Sequence, residues 1–359
     1  MIKELLYPLV GSIRAFNIFQ YITFRAAGAV VTSLLISFLF GPWVIQKLTR
    51  LKLGQEIRQD GPESHLSKAG TPTMGGVLIV ASFSLSVFLW QNLRGFYAWI
   101  ILLTAGGLSA LGFVDDYLKI TRKNSDGLHA RVKFNGQIVL SFGIMLLIYL
   151  FRNPETTLLY LPFLKNPVLD MGLLYIPFGM LMIVGMSNAV NLTDGLDGLA
   201  AGLVILELVA ITVLAYLSGH SKFAQYLIIP YLPGSGELTI STMALTGSCV
   251  GFLWFNTHPA EVMMGDTGSL SLGGLLAVFG LLLKKEILLL VIGGMFVLET
   301  LSVMIQVAYF RRTGRRVFRM APLHHHFELS GWAESKVVAR FWILGGLFAV
   351  LGLSTLKLQ

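Results

Sequence analysis

The sequence predicts an all-α fold, a single domain spanning 1-359 and built as a polytopic bundle of about ten membrane-spanning helices. Three observations carry that expectation. Of 359 residues, 55% are apolar and only 13% charged, about half the charged fraction of an ordinary soluble domain, and the mean hydropathy is +0.72. Apolar runs of span length, about 20 residues, recur along the whole chain. The basic residues form no single patch but gather in alternate loops, the pattern by which loop charge orients membrane helices.

Taken in order, the apolar runs lie near 20-45, 72-91, 97-115, 133-151, 173-190, 198-218, 238-256, 267-284, 286-309 and 338-357. The stretch before them, Met1 to Phe19, reads as a short amphipathic segment at the membrane interface. It lacks the charged, apolar, small-residue order of a removable signal peptide. The loops after the first, third and ninth runs carry sixteen basic residues, within Lys47 to Lys68, Lys119 to Lys133 and Arg311 to Lys336. The opposite loops carry six: Arg94, Arg152, Lys165, Lys222, Lys284 and Lys285. The richer side is expected to be cytoplasmic and both termini extracytoplasmic.

Several function classes drop out. The formal charge of +8 could suggest nucleic acid, but its distribution follows the spans, and no nucleic-acid partner is expected. The one cysteine, Cys249, lies inside an apolar run, so neither an internal disulfide nor a thiolate metal cluster can form. No loop is long enough for a soluble domain. Chemistry is therefore expected at the membrane surface, on a lipid-borne substrate.

Asp115 and Asp116, in Gly112-Phe113-Val114-Asp115-Asp116-Tyr117, end an apolar run with two adjacent carboxylates. Each would cost roughly 2.5 to 3.5 kcal/mol at the centre of a spanning helix, so a cationic partner is expected. Mg2+ suits one or two carboxylates with phosphate oxygens, and Lys119 falls at i+4 from Asp115 if the helix continues. Asn188, Asn191, Asp194 and Asp197, with Gly195 and Gly198, form a polar turn between two spans that no packing role explains. Asn256 closes one span, and Met264-Gly265-Asp266-Thr267-Gly268-Ser269 opens the next. There Asp266 is either an N-cap or a carboxylate holding a metal beside a phosphate at the helix N-terminus. His65 and Lys68 offer anion contacts ahead of Gly75 and Gly76. His324, His325 and His326 point about 100° apart if helical, a poor zinc site but a source of anion contacts. Within spans, Glu207 is expected to pair with a neighbouring helix, and Gln306 lies close enough to the cytoplasmic end to reach the site. These groups collect in loops near 46-71, 116-132, 191-197, 257-266 and 310-337, all on one side.

The motifs SHLSKAGTPTMGG (64-76), GFVDDYLK (112-119), NAVNLTDGLDGLA (188-200), GFLWFNTHPAEVMMGDTGSL (251-270) and RMAPLHHHFEL (319-329) together resemble the polyprenyl-phosphate N-acetylhexosamine-1-phosphate transferase superfamily. The resemblance covers nearly the whole chain. The histidine run and the Lys68 to Gly76 stretch favour the branch that transfers phospho-N-acetylmuramoyl-pentapeptide over relatives that transfer GlcNAc-1-phosphate. It implies ten transmembrane helices in a bacterial cytoplasmic membrane, a homodimer among membrane lipids, and Mg2+ dependence. The implied reaction moves phospho-MurNAc-pentapeptide from UDP-MurNAc-pentapeptide to undecaprenyl phosphate, giving lipid I and UMP.

It further implies that Asp115, Asp116 and Asp266 are catalytic and hold Mg2+. Substrate contacts would come from Lys68, Thr73, Lys119, Lys133, Asn188, Asn191, Asp194, Gly195, Leu196, Asp197, Asn256, Met263, Gln306, His324, His325 and His326. Where some members carry an aromatic residue to stack on uracil, this chain has Met263. An ion-coupled transporter is the competing class, since its intramembrane carboxylates would also be costly. Its binding groups should lie at the midplane, whereas these gather at one rim.

Overall fold

The computed structural model describes residues 1–50, 70–122, 127–151, 155–164 and 166–356. Among them the helices are α1 (Ile2–Leu6), α2 (Ile22–Arg50), α3 (Gly76–Trp90), α4 (Phe96–Arg122), α5 (Ala130–Leu150), α6 (Tyr175–Thr193), α7 (Leu199–Ser218), α8 (Ser221–Leu227), α9 (Leu238–Asn256), α10 (Gly265–Leu282), α11 (Glu286–Ile292), α12 (Gly294–Thr313), α13 (Leu323–Glu328) and α14 (Glu334–Ser354). Strands β1 (Leu158–Leu159) and β2 (Leu169–Asp170) pair antiparallel, with Leu158 opposite Asp170. They close a loop that the sequence marks only by its proline and glycine.

Eight helices, α2, α4, α5, α6, α7, α9, α10 and α14, are long and apolar enough to cross a membrane. Two of the ten expected spans differ. The second begins late: α3 is 15 residues long, because residues 72 to 75 turn aside to pair with Met263 instead of joining the helix. The Pro72 carbonyl accepts from Met263 N–H at 2.8 Å, and Gly75 N–H donates to the Met263 carbonyl at 2.9 Å. The ninth span is two helices, α11 and α12, bent by 84°. Gly293 and Gly294 make the bend possible, since the Glu207 carboxyl packs on the first and the Phe348 ring on the second where any side chain would collide. Glu207 lacks the expected partner: among the described residues neither of its oxygens is hydrogen-bonded.

At the centre stands α10. Every residue from Asp266 to Leu282 is buried, although the segment includes Thr267, Ser269, Ser271 and five glycines counting Gly265. Small residues permit this, as they do where spanning helices approach closely. A Cβ on Gly112 of α4 would land on the Asp266 carbonyl, and one on Gly76 of α3 would land on the Gly268 backbone. Cross-helix hydroxyls complete the seam: Ser187 of α6 donates to the Leu270 carbonyl at 3.0 Å, and Ser271 donates to the Ala105 carbonyl at 3.2 Å. These contacts draw the ends of α3, α4 and α6 onto the start of α10. At the opposite end of the bundle the N-terminal ammonium lies 3.4 Å from the Gln91 carbonyl, and Arg25 holds Glu237 through two bonds of 2.9 and 2.6 Å.

Gly112→Ala should therefore push α4 away from the start of α10. The expected cost is about 1 to 3 kcal/mol, read as a lower melting temperature of the detergent-solubilised protein together with lost activity. An unchanged melting temperature would show that the seam tolerates a methyl group.

Candidate active site

α4 does not stop at its acidic pair but runs on to Arg122, so Lys119 sits one turn beyond Asp115 and its Nζ lies 2.7 Å from Asp115 Oδ2. The same ammonium is 2.7 Å from Asp266 Oδ2. From the first turn of α5, Lys133 Nζ reaches Asp266 Oδ2 at 2.5 Å and Asp115 Oδ2 at 3.5 Å. Asn191 of α6 donates to Asp266 Oδ1 at 2.5 Å and to Ser269 Oγ at 2.7 Å. The chain after α4 folds back over the site, where Leu128 N–H donates to Asp115 Oδ1 at 2.8 Å. Gly127, at φ +55°, makes that approach, since a Cβ there would crowd Asp115 and Lys119.

The two adjacent carboxylates do different work. Asp116 Oδ1 accepts from Asp266 N–H at 3.1 Å, while its Oδ2 accepts from Thr267 N–H at 2.9 Å and Thr267 Oγ1 at 2.7 Å. It thus caps α10 from another helix, satisfying N–H groups that a helix start leaves open and placing negative charge at the positive end of the dipole. Asp115 Oδ2 touches the two ammonium groups but is buried without a well-aligned hydrogen bond. Among the described residues the cluster pairs three carboxylates with two ammonium groups, leaving one negative charge.

That donor set fits a hard cation. Asp115, Asp116 and Asp266 each offer an oxygen, all within 4.8 Å of one another, and carboxylate oxygens with room for phosphate are what Mg2+ takes. Because Asp116 is committed to α10, Asp115 and Asp266 are the two with lone pairs to give. Thr73 flanks them: its Oγ1 and Asp116 Oδ2 both crowd the place a Cβ would take on Gly265, whose φ of +71° would also strain a side chain.

A second polar face continues from α6. Asp194 ends that helix, and Gly198, at φ +75°, turns the chain into α7. Asn256 braces the turn, accepting from Gly198 N–H at 3.1 Å and donating to the Val262 carbonyl at 2.8 Å. Leu196 and Asp197 are buried. Met263 is half-buried, its backbone paired with Pro72 and Gly75. Asn188 donates to Gln137 Oε1 at 2.9 Å.

The three histidines lie on α13 and diverge. His324 is fully buried, with Nδ1 3.3 Å from Glu299 Oε1 and its own N–H on the same oxygen at 3.2 Å. Among the described residues its Nε2 has no hydrogen-bond partner, and it packs against Gly195, where no Cβ would fit. His325 faces Glu328 at 2.9 Å, and His326 Nδ1 accepts from Arg319 N–H at 3.2 Å. Gln306 is turned to its own loop, bonding the backbone of Val317 and Phe318. His65 and Lys68 lie outside the described residues.

Comparison with known proteins identifies the family. The sequence pattern of glycosyl transferase family 4 matches residues 98–284, and a phospho-N-acetylmuramoyl-pentapeptide-transferase signature matches residues 68–80. Proteins bearing that transferase name are similar over 100% of both chains: 52% identical in Thermodesulfovibrio yellowstonii, 51% in Citrifermentans bemidjiense and 52% in Desulfosudis oleivorans. The chain belongs to the phospho-N-acetylmuramoyl-pentapeptide-transferase family. It is a multi-pass membrane enzyme, a phosphoglycosyl transferase of peptidoglycan synthesis, and the transporter class falls away.

Sequence reasoning assigned no role to Thr267, His258 or Glu334. Thr267 lies in the helix start beside Asp266, and nothing local marks it as a partner of Asp116. Glu334 opens α14 as an isolated acid, and only the fold brings it to the turn near Asp197. The capping role of Asp116 is directly testable. Asp116→Ala leaves two buried N–H groups unsatisfied, at about 1 to 3 kcal/mol, and Thr267→Val removes one bond of the three. Melting curves should rank wild type above Thr267→Val above Asp116→Ala; equal curves would refute the cap.

Proposed function

We propose that this chain transfers phospho-MurNAc-pentapeptide from UDP-MurNAc-pentapeptide to undecaprenyl phosphate, forming lipid I and UMP. The observation that carries the reading is the Asp115–Lys119–Lys133–Asp266 cluster. Two cations and two available carboxylates sit together at one end of a membrane bundle, as a reaction between a soluble diphosphate and a lipid phosphate requires. That end faces the cytoplasm of a bacterial inner membrane, and the enzyme works as a homodimer among membrane lipids.

In this mechanism a phosphate oxygen of the lipid attacks the β-phosphorus of the UDP-sugar in one displacement. The bond to the bridging oxygen breaks, and UMP leaves with that electron pair. Asp266 and Asp115 would hold Mg2+, which when bound would supply charge neutralisation to the diphosphate. Lys119 and Lys133 lie on the same carboxylates and turn to the phosphates as these enter, so the ammonium groups exchange one anion for another without crossing apolar space. Lys68 and the histidines extend that cradle. Asn191, Asp194, Gly195, Leu196, Asp197, Asn256 and Met263 form the uridine side, with Thr73 between the two faces. A phosphate monoester has its second pKa at about 6, so at neutral pH the lipid phosphate needs little help from a base. Asp115 serves chiefly to position.

Purified protein given both substrates should release UMP only with Mg2+, and chelation should stop turnover until the metal is returned. Labelled UMP should not exchange into the UDP-sugar when the lipid acceptor is withheld; exchange would instead favour a covalent intermediate on Asp266. Asp115→Asn should stay inactive as the pH is raised above about 8, and recovery there would assign Asp115 as the base.

A further inference from the structure

The loop between α9 and α10 is tied down by three groups that this mechanism does not use for chemistry. Asp197 is only 3% exposed, and its Oδ2 accepts from Ala260 N–H at 3.2 Å while lying 3.0 Å from His258 Nδ1. The N–H of Asp197 donates to Glu334 Oε1 at 2.8 Å. Glu334 Oε2 lies 3.7 Å from the same imidazole nitrogen. One ring nitrogen therefore faces two carboxylates, and the three residues come from the α6–α7 turn, the α9–α10 loop and the first turn of α14.

The rest of the imidazole does little packing, since its side chain is 49% exposed. Its contribution is the polar contact at Nδ1, and a charge-assisted bond to a buried carboxylate is among the stronger single contacts available. Among the described residues the loop is anchored elsewhere by backbone bonds, the Asn256 amide, the Thr257 hydroxyl and the buried Val262 side chain. Met263 pairs with Pro72 and Gly75 on one flank, and Asn256 braces Gly198 and Val262 within it. His258 is the ionisable side chain of the loop that reaches back to Asp197.

We propose that His258 is a positioning residue. Through Nδ1 it holds the Asp197 carboxylate and the Asn256 to Met263 loop in the arrangement that receives the nucleotide, with Glu334 fixing the turn from behind. This inference depends on the assignment of residues 194–197 and 256–263 to the uridine side. His258 is bonded to Asp197, away from the Asp115–Asp266 cluster, so it governs nucleotide affinity and not the phosphoryl step.

Steady-state kinetics of the purified full-length enzyme test this, with UDP-MurNAc-pentapeptide varied at saturating undecaprenyl phosphate. His258→Ala should raise the nucleotide KM by about tenfold and leave kcat within about twofold. His258→Asn, whose amide nitrogen can occupy the place of Nδ1, should restore most of the affinity. His258→Gln, whose amide reaches to the Nε2 position, should not. If the alanine variant fails to fold, the Asn and Gln pair decides: equal KM values for the two overturn the proposal. A lower kcat at unchanged KM overturns it as well. Asp197→Ala separates the underlying reading from the inference. No change in nucleotide KM there rejects the uridine assignment, whereas a raised KM with a normal His258→Ala rejects the positioning role alone.

Discussion

The grip of Asp116 on the first turn of α10 is the interaction on which the rest of this site depends. Three bonds from one carboxylate fix the N–H groups of Asp266 and Thr267 and the Thr267 hydroxyl. A helix begun at Gly265 in the middle of a packed bundle would otherwise bury open donors, each costly without a partner. The cap thereby decides where α10 starts, and Asp266 is its second residue. The position of the Asp266 side chain against Lys119, Lys133 and Asn191 follows from a bond made by its own backbone.

Close helix approach supplies the other half. Gly112 and Gly76 bring backbone against backbone at the start of α10, and this brings carboxylates of α4 and α10 within 4.8 Å of one another. Like charges at that separation repel, and the two lysines offset the repulsion by bridging them. In the proposed reaction, anions already matched to cations would accept a diphosphate and its metal by exchange of partners, with no large reorganisation of the bundle.

Much of this was legible from composition and spacing. The apolar runs correspond to eight helices long enough to cross a membrane, and the polar segments between them supply the Asp115–Asp266 cluster. The i+4 placement of Lys119 gave its ion pair with Asp115 because a helix repeats every 3.6 residues. Other features were invisible for identifiable reasons. Asp115 and Asp116 are the same residue type side by side, and nothing local says that one caps a distant helix. The 84° break at Gly293 lies in a run as apolar as its neighbours, and the packing of Glu207 and Phe348 against its two glycines is a tertiary contact that the run does not announce. Gln306 was within reach of the site by sequence position but is consumed by the backbone of its own loop.

By itself, then, the sequence determined which segments are long and apolar enough to enter a membrane and which polar and charged residue types lie at their ends. Those properties depend on hydropathy, charge and helical period, all of them local. The tertiary structure decided the division of labour among the three aspartates, the meeting of His258 with Asp197 and Glu334, and the burial of His324 on Glu299. Each rests on contacts between groups far apart in the chain, and the partner is chosen by the directions in which packed helices end.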